Sequence, residues 1–372
     1  MPDREARRHV REVLASKRYS PGVKVRAFER AFAQAHRAKH AVFVNSGTDA
    51  LRLSLLALKE KDAWADGAQV VVPSLTFVAT VNVVLQAGLK PYFVDVGMHD
   101  YTMNPDNLER RLSTSDADGI KAVMPVHLFG QAPDPRIYVM ARERGWRVVE
   151  DSCETILNKP QGDVSCHSTY MAHHVTTGVG GMAVTDDTAL MLLIRSYANH
   201  GRDTDYLPGF NAASDIKRRF RFERIGYSCR GTEFEAALGL PQLEHGRLER
   251  LVAERRKTAY FLFKALEHHD ELVLPLAMRA HTWMMFPVVL REGCGIDKYS
   301  LCRHLEKSGI ETRDMMPITN QPCYRGLVDE ESFSVAKRIN AQGFYIPCNP
   351  GMDVERVGAA FDSYFVKMAV AA

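Results

Sequence analysis

What most restricts the fold is a unit repeated through the first 150 or so residues: a short apolar run, a turn of small and polar residues, then a stretch with helical spacing. The runs are 41–44 (Ala41-Val-Phe-Val44), 70–73 (Val70-Val-Val-Pro73), 91–95, 122–126 and 146–151, with stretches such as 104–112 between them. Continuous apolar runs of this kind suit strands buried on both faces. Strands alternating with helices of roughly 10 to 15 residues build βαβ units around a mostly parallel sheet. Ligands of such sheets gather beyond the carboxyl ends of the strands, and the polar stretches 45–49, 74–77, 127–131 and 151–155 each follow a strand there. Two helices, over 3–17 and 24–38, precede the first strand and read as packing and subunit-contact elements.

A chain of 372 residues can bury one large core and a smaller one. The expected division is a large domain over 1–248, including the N-terminal helices, and a small C-terminal α/β domain over 249–372. A helix starting at Thr232 is expected to continue to about His268 and to join the two; the small domain then has strands at 271–274 and 282–290 and helices at 298–308 and 354–370. Forty-eight Lys and Arg against 45 Asp and Glu leave a charge of +3, which argues against a general nucleic-acid binder. No apolar run approaches the roughly 20 residues that span a bilayer, and the charged start is followed by no apolar signal core. The seven cysteines are scattered and contain no Cys-x-x-Cys pair, so no zinc ribbon or disulfide framework is expected and a reducing cytoplasm fits.

One stretch carries most of the chemistry: Asp163-Val-Ser-Cys-His-Ser-Thr-Tyr-Met-Ala-His-His-Val-Thr-Thr-Gly-Val-Gly-Gly-Met-Ala-Val-Thr185. Its ends favour strands, its glycines permit unusual backbone angles or close approach, and its middle offers His173 and His174, imidazoles that titrate near neutrality. Taken alone, a histidine pair is often surface decoration. The other polar stretches also have two readings. Asn45-Ser46-Gly47-Thr48 is a helix cap or an anion site at a helix N-terminus; Phe77 is core or a stacking surface; Asp151 caps a turn or serves a ligand; the basic run 217–221 is a solvated face or a pyrophosphate partner.

Taken together, these residues resemble the DegT/DnrJ/EryC1/StrS sugar aminotransferase family of fold-type I pyridoxal-phosphate (PLP) enzymes, over about residues 18–365. The family loop reads Ser-aromatic-x-x-x-Lys-x-x-Thr-Thr-Gly-Glu-Gly-Gly; here Ser168, Thr176-Thr177-Gly178 and Gly180-Gly181 match it. The resemblance implies an α/β fold with a mostly parallel mixed sheet in a large domain. It also implies that Gly47, Thr48 and Ser168 hold the cofactor phosphate, that Phe77 stacks on the pyridine ring, and that Asp151 pairs with the ring nitrogen and raises its pKa. Ser228 and Arg230, in Gly226-Tyr-Ser-Cys-Arg230, would reach the cofactor of a neighbouring subunit, which implies a homodimer with shared sites. Ser228 departs from the family's asparagine, Val179 from its acid, and Glu154 from the histidine or glutamine found near the ring hydroxyl.

The largest departure is His173, which stands in the place of the Schiff-base lysine. Such an exchange resembles the family's 3-dehydratases, which remove the C3 hydroxyl of nucleotide-linked 4-keto-6-deoxyhexoses. Lysine tethers the cofactor and carries protons; imidazole can only carry protons, with a reference pKa of about 6.5. PLP, or its amine form pyridoxamine phosphate (PMP), is therefore expected to bind noncovalently, with His173 as the base, glutamate as amino donor and hydrolysis as the route of product release. The long cysteine spacing ending in Cys-x-Cys of the cluster-containing dehydratases is absent, since Glu292 stands two places before Cys294; no metal is expected. His174 either orients its neighbour or touches cofactor or substrate. Three alternatives stay open: an aminotransferase that uses another lysine such as Lys159 or Lys217, another PLP reaction on a nucleoside or aminoglycoside precursor, and a non-catalytic relative.

Overall fold

The computed structural model describes residues 4–114, 117–203, 220–276 and 280–371, so positions 217–219 of the basic run, including Lys217, lie outside the described residues. The strands of the first sheet are β1 (His40–Val44), β2 (Gln69–Pro73), β3 (Lys90–Val94), β4 (Ile120–Val123), β5 (Arg147–Asp151), β6 (Val164–Ser168) and β7 (Gly181–Thr185). Their order is β1-β7-β6-β5-β4-β2-β3. Only β7 runs against its neighbours, β6 and β1; the other pairs are parallel. This is the mostly parallel mixed sheet that the sequence implied.

Burial on both faces explains the continuous apolar runs. Along β2, Val70 and Val72 enter the core beneath helices Gly47–Lys61 and Val78–Gln86, while Val71 between them enters the core with Leu108 and Ile137 on the opposite face. Each such side chain contributes roughly 1.5–3 kcal/mol when fully buried. The paired strands end together, so Asp151 sits opposite Cys166 and Ser168 opposite Gly181, and the polar residues that follow each strand are delivered to one edge.

A second sheet comprises β8 (Leu272–Val273), β9 (Met285–Leu290), β10 (Arg313–Asp314) and β11 (Gly343–Pro347), ordered β10-β11-β9-β8 and antiparallel throughout. Helices Arg247–Leu266, Lys298–Lys307 and Val354–Ala371 close a separate core with it around Leu262, Phe286, Phe344 and Phe361. Among the described residues, no helix is long and apolar enough to cross a membrane.

Two expectations about this half need correction. The single helix expected from Thr232 to His268 is broken into helix Glu233–Gly239, a 3-10 turn at Leu240–Leu243 and helix Arg247–Leu266. Pro241 has no N–H to continue the ladder, and His245 and Gly246 are left-handed, with φ of 57° and 66°. The strand expected from Thr282 begins only at Met285. The preceding residues pair elsewhere: Thr282 N–H donates to the Gly130 carbonyl and Met284 N–H to the Phe129 carbonyl, each at 2.9 Å. That detour brings the second sheet against the turn after β4.

The start of β7 lies so close to the turn after β1 that a Cβ at Gly181 would collide with the Ser46 carbonyl and the Gly47 nitrogen. Gly47 itself is equally confined, because a Cβ there would come within 2.7 Å of Cys153 Sγ and 3.0 Å of Ser168 Cβ. Gly181→Ala should therefore lower stability by about 1–3 kcal/mol, the usual cost of overpacking, measured as a lower urea midpoint at unchanged m value. An unaltered midpoint would show that the turn is not held this tightly.

Candidate active site

The turns after β1, β2, β4, β5 and β6, the start of β9 and the middle of β11 enclose a cavity of about 460 Å³. In its wall, Ser46 is the N-cap of helix Gly47–Lys61, its hydroxyl accepting a hydrogen bond from Asp49 N–H at 3.0 Å. That cap leaves the N–H groups of Gly47 and Thr48 at the cavity wall, where an anion would meet the positive end of the helix. Ser168, the last residue of β6, lines the same wall.

Asp151 ends β5 and is buried. Thr80 donates its hydroxyl to Oδ2 at 2.8 Å and Cys153 N–H approaches Oδ1 at 3.3 Å, while Thr76 orients the Thr80 hydroxyl at 2.8 Å. Among the described residues no lysine, arginine or histidine forms an ion pair with it. Its neighbour Glu150 points to the other face, as strand alternation requires. There it accepts from Gln161 N–H at 2.6 Å and Gly162 N–H at 2.7 Å and meets His127 Nε2 at 3.0 Å. Glu150 thus pins the loop that leads into β6, and Asp151 is left for a cationic ligand. Phe77, at the N-cap of helix Val78–Gln86, presents a ring 56% exposed to the same cavity.

His173 also lines the cavity, its N–H tied to the Tyr170 carbonyl at 3.0 Å and its Nδ1 buried without a hydrogen-bond partner. Burial drives its pKa down to about 4, offset in part by a backbone hydrogen bond to Cys153. The ring is therefore unprotonated at neutral pH, with a pKa below the reference value assumed from the sequence. Glu154 goes the other way: burial pushes its carboxyl up to about 7, against the opposing hydrogen bond from Phe129 N–H at 2.5 Å, and the Asp151 carboxylate adds to the rise. The cavity thus holds an imidazole whose burial favours the free base and a carboxyl whose burial favours the protonated form.

Gly47, Thr48, Phe77, Asp151, Glu154, Ser168 and His173 are all brought together. His174 is not. Its buried ring turns away, with Nε2 3.4 Å from the Thr282 carbonyl, and burial, then the Arg255 charge, lower its pKa to about 3. Ser228 and Arg230 also lie outside this cavity. Arg230 donates to Asn199 Oδ1 at 2.7 Å and to Ser228 Oγ at 3.2 Å, and Asn45 N–H donates to the Cys229 carbonyl at 2.9 Å, so the segment is stitched to the end of β1.

Sequence reasoning missed the wall supplied by the second sheet: Met284, Met285 and Tyr345. Tyr345 is identified only by its position in β11. A second cavity of about 350 Å³ shares Ala172, His173 and those three residues and is bordered by Arg255, Arg313 and Asn349. Neither cavity is lined by a lysine.

The Glu154 shift has a measurable sign. Its folded pKa of about 7 lies above the ordinary 4.5, so the folded chain keeps a proton that the unfolded chain has released. Stability from that proton is complete below about 4.5 and is lost as pH rises through about 7. Relative to the parent, Glu154→Gln should gain unfolding free energy between pH 5 and 8, read from urea melts of the cofactor-free protein; a pH-independent difference would contradict the buried, proton-holding carboxyl.

The sequence profile of the DegT/DnrJ/EryC1/StrS aminotransferase family matches residues 2–363. The chain is 31% identical over 353 residues to the GDP-perosamine synthase of Caulobacter vibrioides, covering 91% of this chain and 89% of that protein. It is 28% identical over 323 residues to the GDP-4-keto-6-deoxy-D-mannose 3-dehydratase of Escherichia coli O55:H7, covering 82% and 81%. The solved structure of an E. coli GDP-4-keto-6-deoxy-D-mannose 3-dehydratase with bound hydrated PLP is similar with a TM-score of 0.86 at 25% identity, over 96% of each chain. The chain belongs to the DegT/DnrJ/EryC1/StrS aminotransferase family.

Proposed function

We propose that this protein is a PLP- and PMP-dependent dehydratase that removes the C3 hydroxyl of a nucleotide-linked 4-keto-6-deoxyhexose, with His173 as the base and glutamate as the amino donor. The observation that carries the reading is a cavity with partners for a phosphate, a pyridinium and an aromatic ring, yet with an imidazole and no lysine in its wall.

Each residue has a distinct task. The Gly47 and Thr48 N–H groups and the Ser168 hydroxyl hold the phosphate. Asp151, buried and without a cation of its own, holds the proton on the ring nitrogen, and Phe77 covers the ring. When bound, the cofactor supplies the electron sink that lets a hydroxyl leave beside the ketone carbon. His173, unprotonated at neutral pH, takes up and returns the proton that a lysine would otherwise carry. Glu154 keeps a proton near the ring hydroxyl. The adjoining cavity, where the carboxylates of glutamate or the phosphates of the substrate would enter, is bordered by Arg313, which pairs with Glu311, and by Arg255, whose guanidinium is held by backbone carbonyls. In this reading residues 1–248 form the cofactor-binding domain and 249–372 the small domain. Two cytoplasmic chains share their sites, with Ser228 and Arg230 facing the partner's cofactor.

Similarity to a GDP-perosamine synthase favours a second reading, transfer of an amino group to the same class of keto sugar. The two readings separate in one assay. Purified protein is incubated with PMP, glutamate and a panel of nucleotide-linked 4-keto-6-deoxyhexoses, and sugar mass and ammonia are followed. The dehydratase reading predicts a 3-deoxy-4-keto sugar lighter by one oxygen atom, because hydrolysis restores the ketone, together with released ammonia and conversion of glutamate to 2-oxoglutarate. An amino sugar without ammonia, or no product from any sugar, would contradict it. His173→Asn should reduce turnover by about 10²–10⁴-fold, the usual range for a general base, while the protein retains cofactor; unchanged turnover would remove His173 from the chemistry.

A further inference from the structure

Outside both cavities, the end of helix Arg247–Leu266 runs into His268 and His269, and helix Val354–Ala371 places Asp362 opposite them. Oδ1 of Asp362 lies 3.0 Å from Nε2 of His268 and 3.0 Å from Nε2 of His269. The two imidazole rings are 4.0 Å apart between centroids, and the three donor atoms all fall within 4.8 Å of one another. His268 meets the carboxylate in hydrogen-bonding geometry. His269 does not: its side chain is only 8% exposed, and its buried Nε2 has no hydrogen-bond partner despite the short approach. A buried imidazole nitrogen left without a partner is uncommon in folded proteins and points to a missing ligand.

Apolar rings close one side of His269. Phe365 packs 4.5 Å from the His269 ring and Phe361 6.4 Å from it. Asp362 and His268 are about half exposed, at 52% and 57%, which leaves a path for an ion and room for water to complete its shell.

We propose that His268, His269 and Asp362 form a binding site for a divalent transition-metal ion, with Zn²⁺ the best match. Two imidazole nitrogens and one carboxylate oxygen suit zinc and its neighbours rather than magnesium or calcium, which prefer oxygen alone. Donor atoms of a tetrahedral zinc site, each about 2.0–2.2 Å from the metal, lie roughly 3.3 Å apart, so the two 3.0 Å carboxylate–imidazole separations would open slightly around an ion and the two imidazole nitrogens already lie within 4.8 Å of each other. None of the three residues lines either cavity near His173. The ion would therefore fasten helix Arg247–Leu266 to helix Val354–Ala371, the two helices that pack together over the second core, and would act on stability rather than on the reaction.

The test uses the full chain, free of any histidine tag and stripped with EDTA, titrated with CoCl₂ and ZnCl₂. One equivalent of Co²⁺ should bind with a visible ligand-field absorption that Zn²⁺ abolishes, and Zn²⁺ should raise the melting temperature where Mg²⁺ does not. Asp362→Asn and His268→Gln, both at half-exposed positions, should leave the metal-free melting temperature nearly unchanged. Each should weaken Zn²⁺ by more than the roughly 10- to 100-fold that loss of an outer-shell partner costs such sites, and should abolish the Zn²⁺-dependent rise. Failure of the parent protein to bind either ion, or equal binding by the parent and both variants, as an adventitious ion held elsewhere would give, would overturn the proposal.

Discussion

Taking a carboxylate out of water costs several kcal/mol unless a charge or a full set of hydrogen bonds replaces the solvent. Asp151 is in that position: buried, supported by the Thr80 hydroxyl and one long backbone contact, and without a cation among the described residues. The scaffold around it is built to keep it so. Glu150 takes the neighbouring cation-capable and amide partners on the opposite face, and parallel pairing of β5 with β6 fixes the depth at which Asp151 emerges. A ligand that brings a protonated ring nitrogen to this point would relieve the unfavourable burial, so ligand binding and local stability are coupled.

The same low-dielectric cavity sets the protonation of the other groups. Burial disfavours charge in both directions, lowering the His173 pKa to about 4 and raising Glu154 to about 7. Two titratable groups pushed apart in this way are suited to opposite tasks, one accepting a proton and one holding it. The absence of a lysine from the wall follows the same logic. In the proposed function the partner of Asp151 is the ring nitrogen of the cofactor, and no lysine of the wall competes for it.

Much of the large sheet was legible because each strand is buried on both faces and its apolar residues are contiguous; Val70-Val71-Val72 serves two cores at once. The cavity residues were legible because they follow strand ends, where the topology leaves them no other edge. The segment 240–246 was not, since the apolar spacing on both sides of Pro241 suits a helix and the left-handed His245 carries no local signal. Met284, Met285 and Tyr345 arrive from strands far along the chain, by way of backbone bonds from Thr282 and Met284 to the turn after β4. Residue type alone does not separate the two adjacent histidines, although the family spacing puts His173 in the place of the lysine. Only the fold turns His173 to the cavity and His174 toward Thr282, and only burial gives their pKa values a direction.

The claim on which all this depends is that the site grips its cofactor without a covalent bond. Reduction of the PLP-loaded protein with borohydride, followed by intact-mass and peptide analysis, tests it most directly. The account predicts an unmodified chain, and a gain of one pyridoxyl group at position 173 in His173→Lys. A pyridoxyl group on any native lysine of the unaltered protein would contradict it.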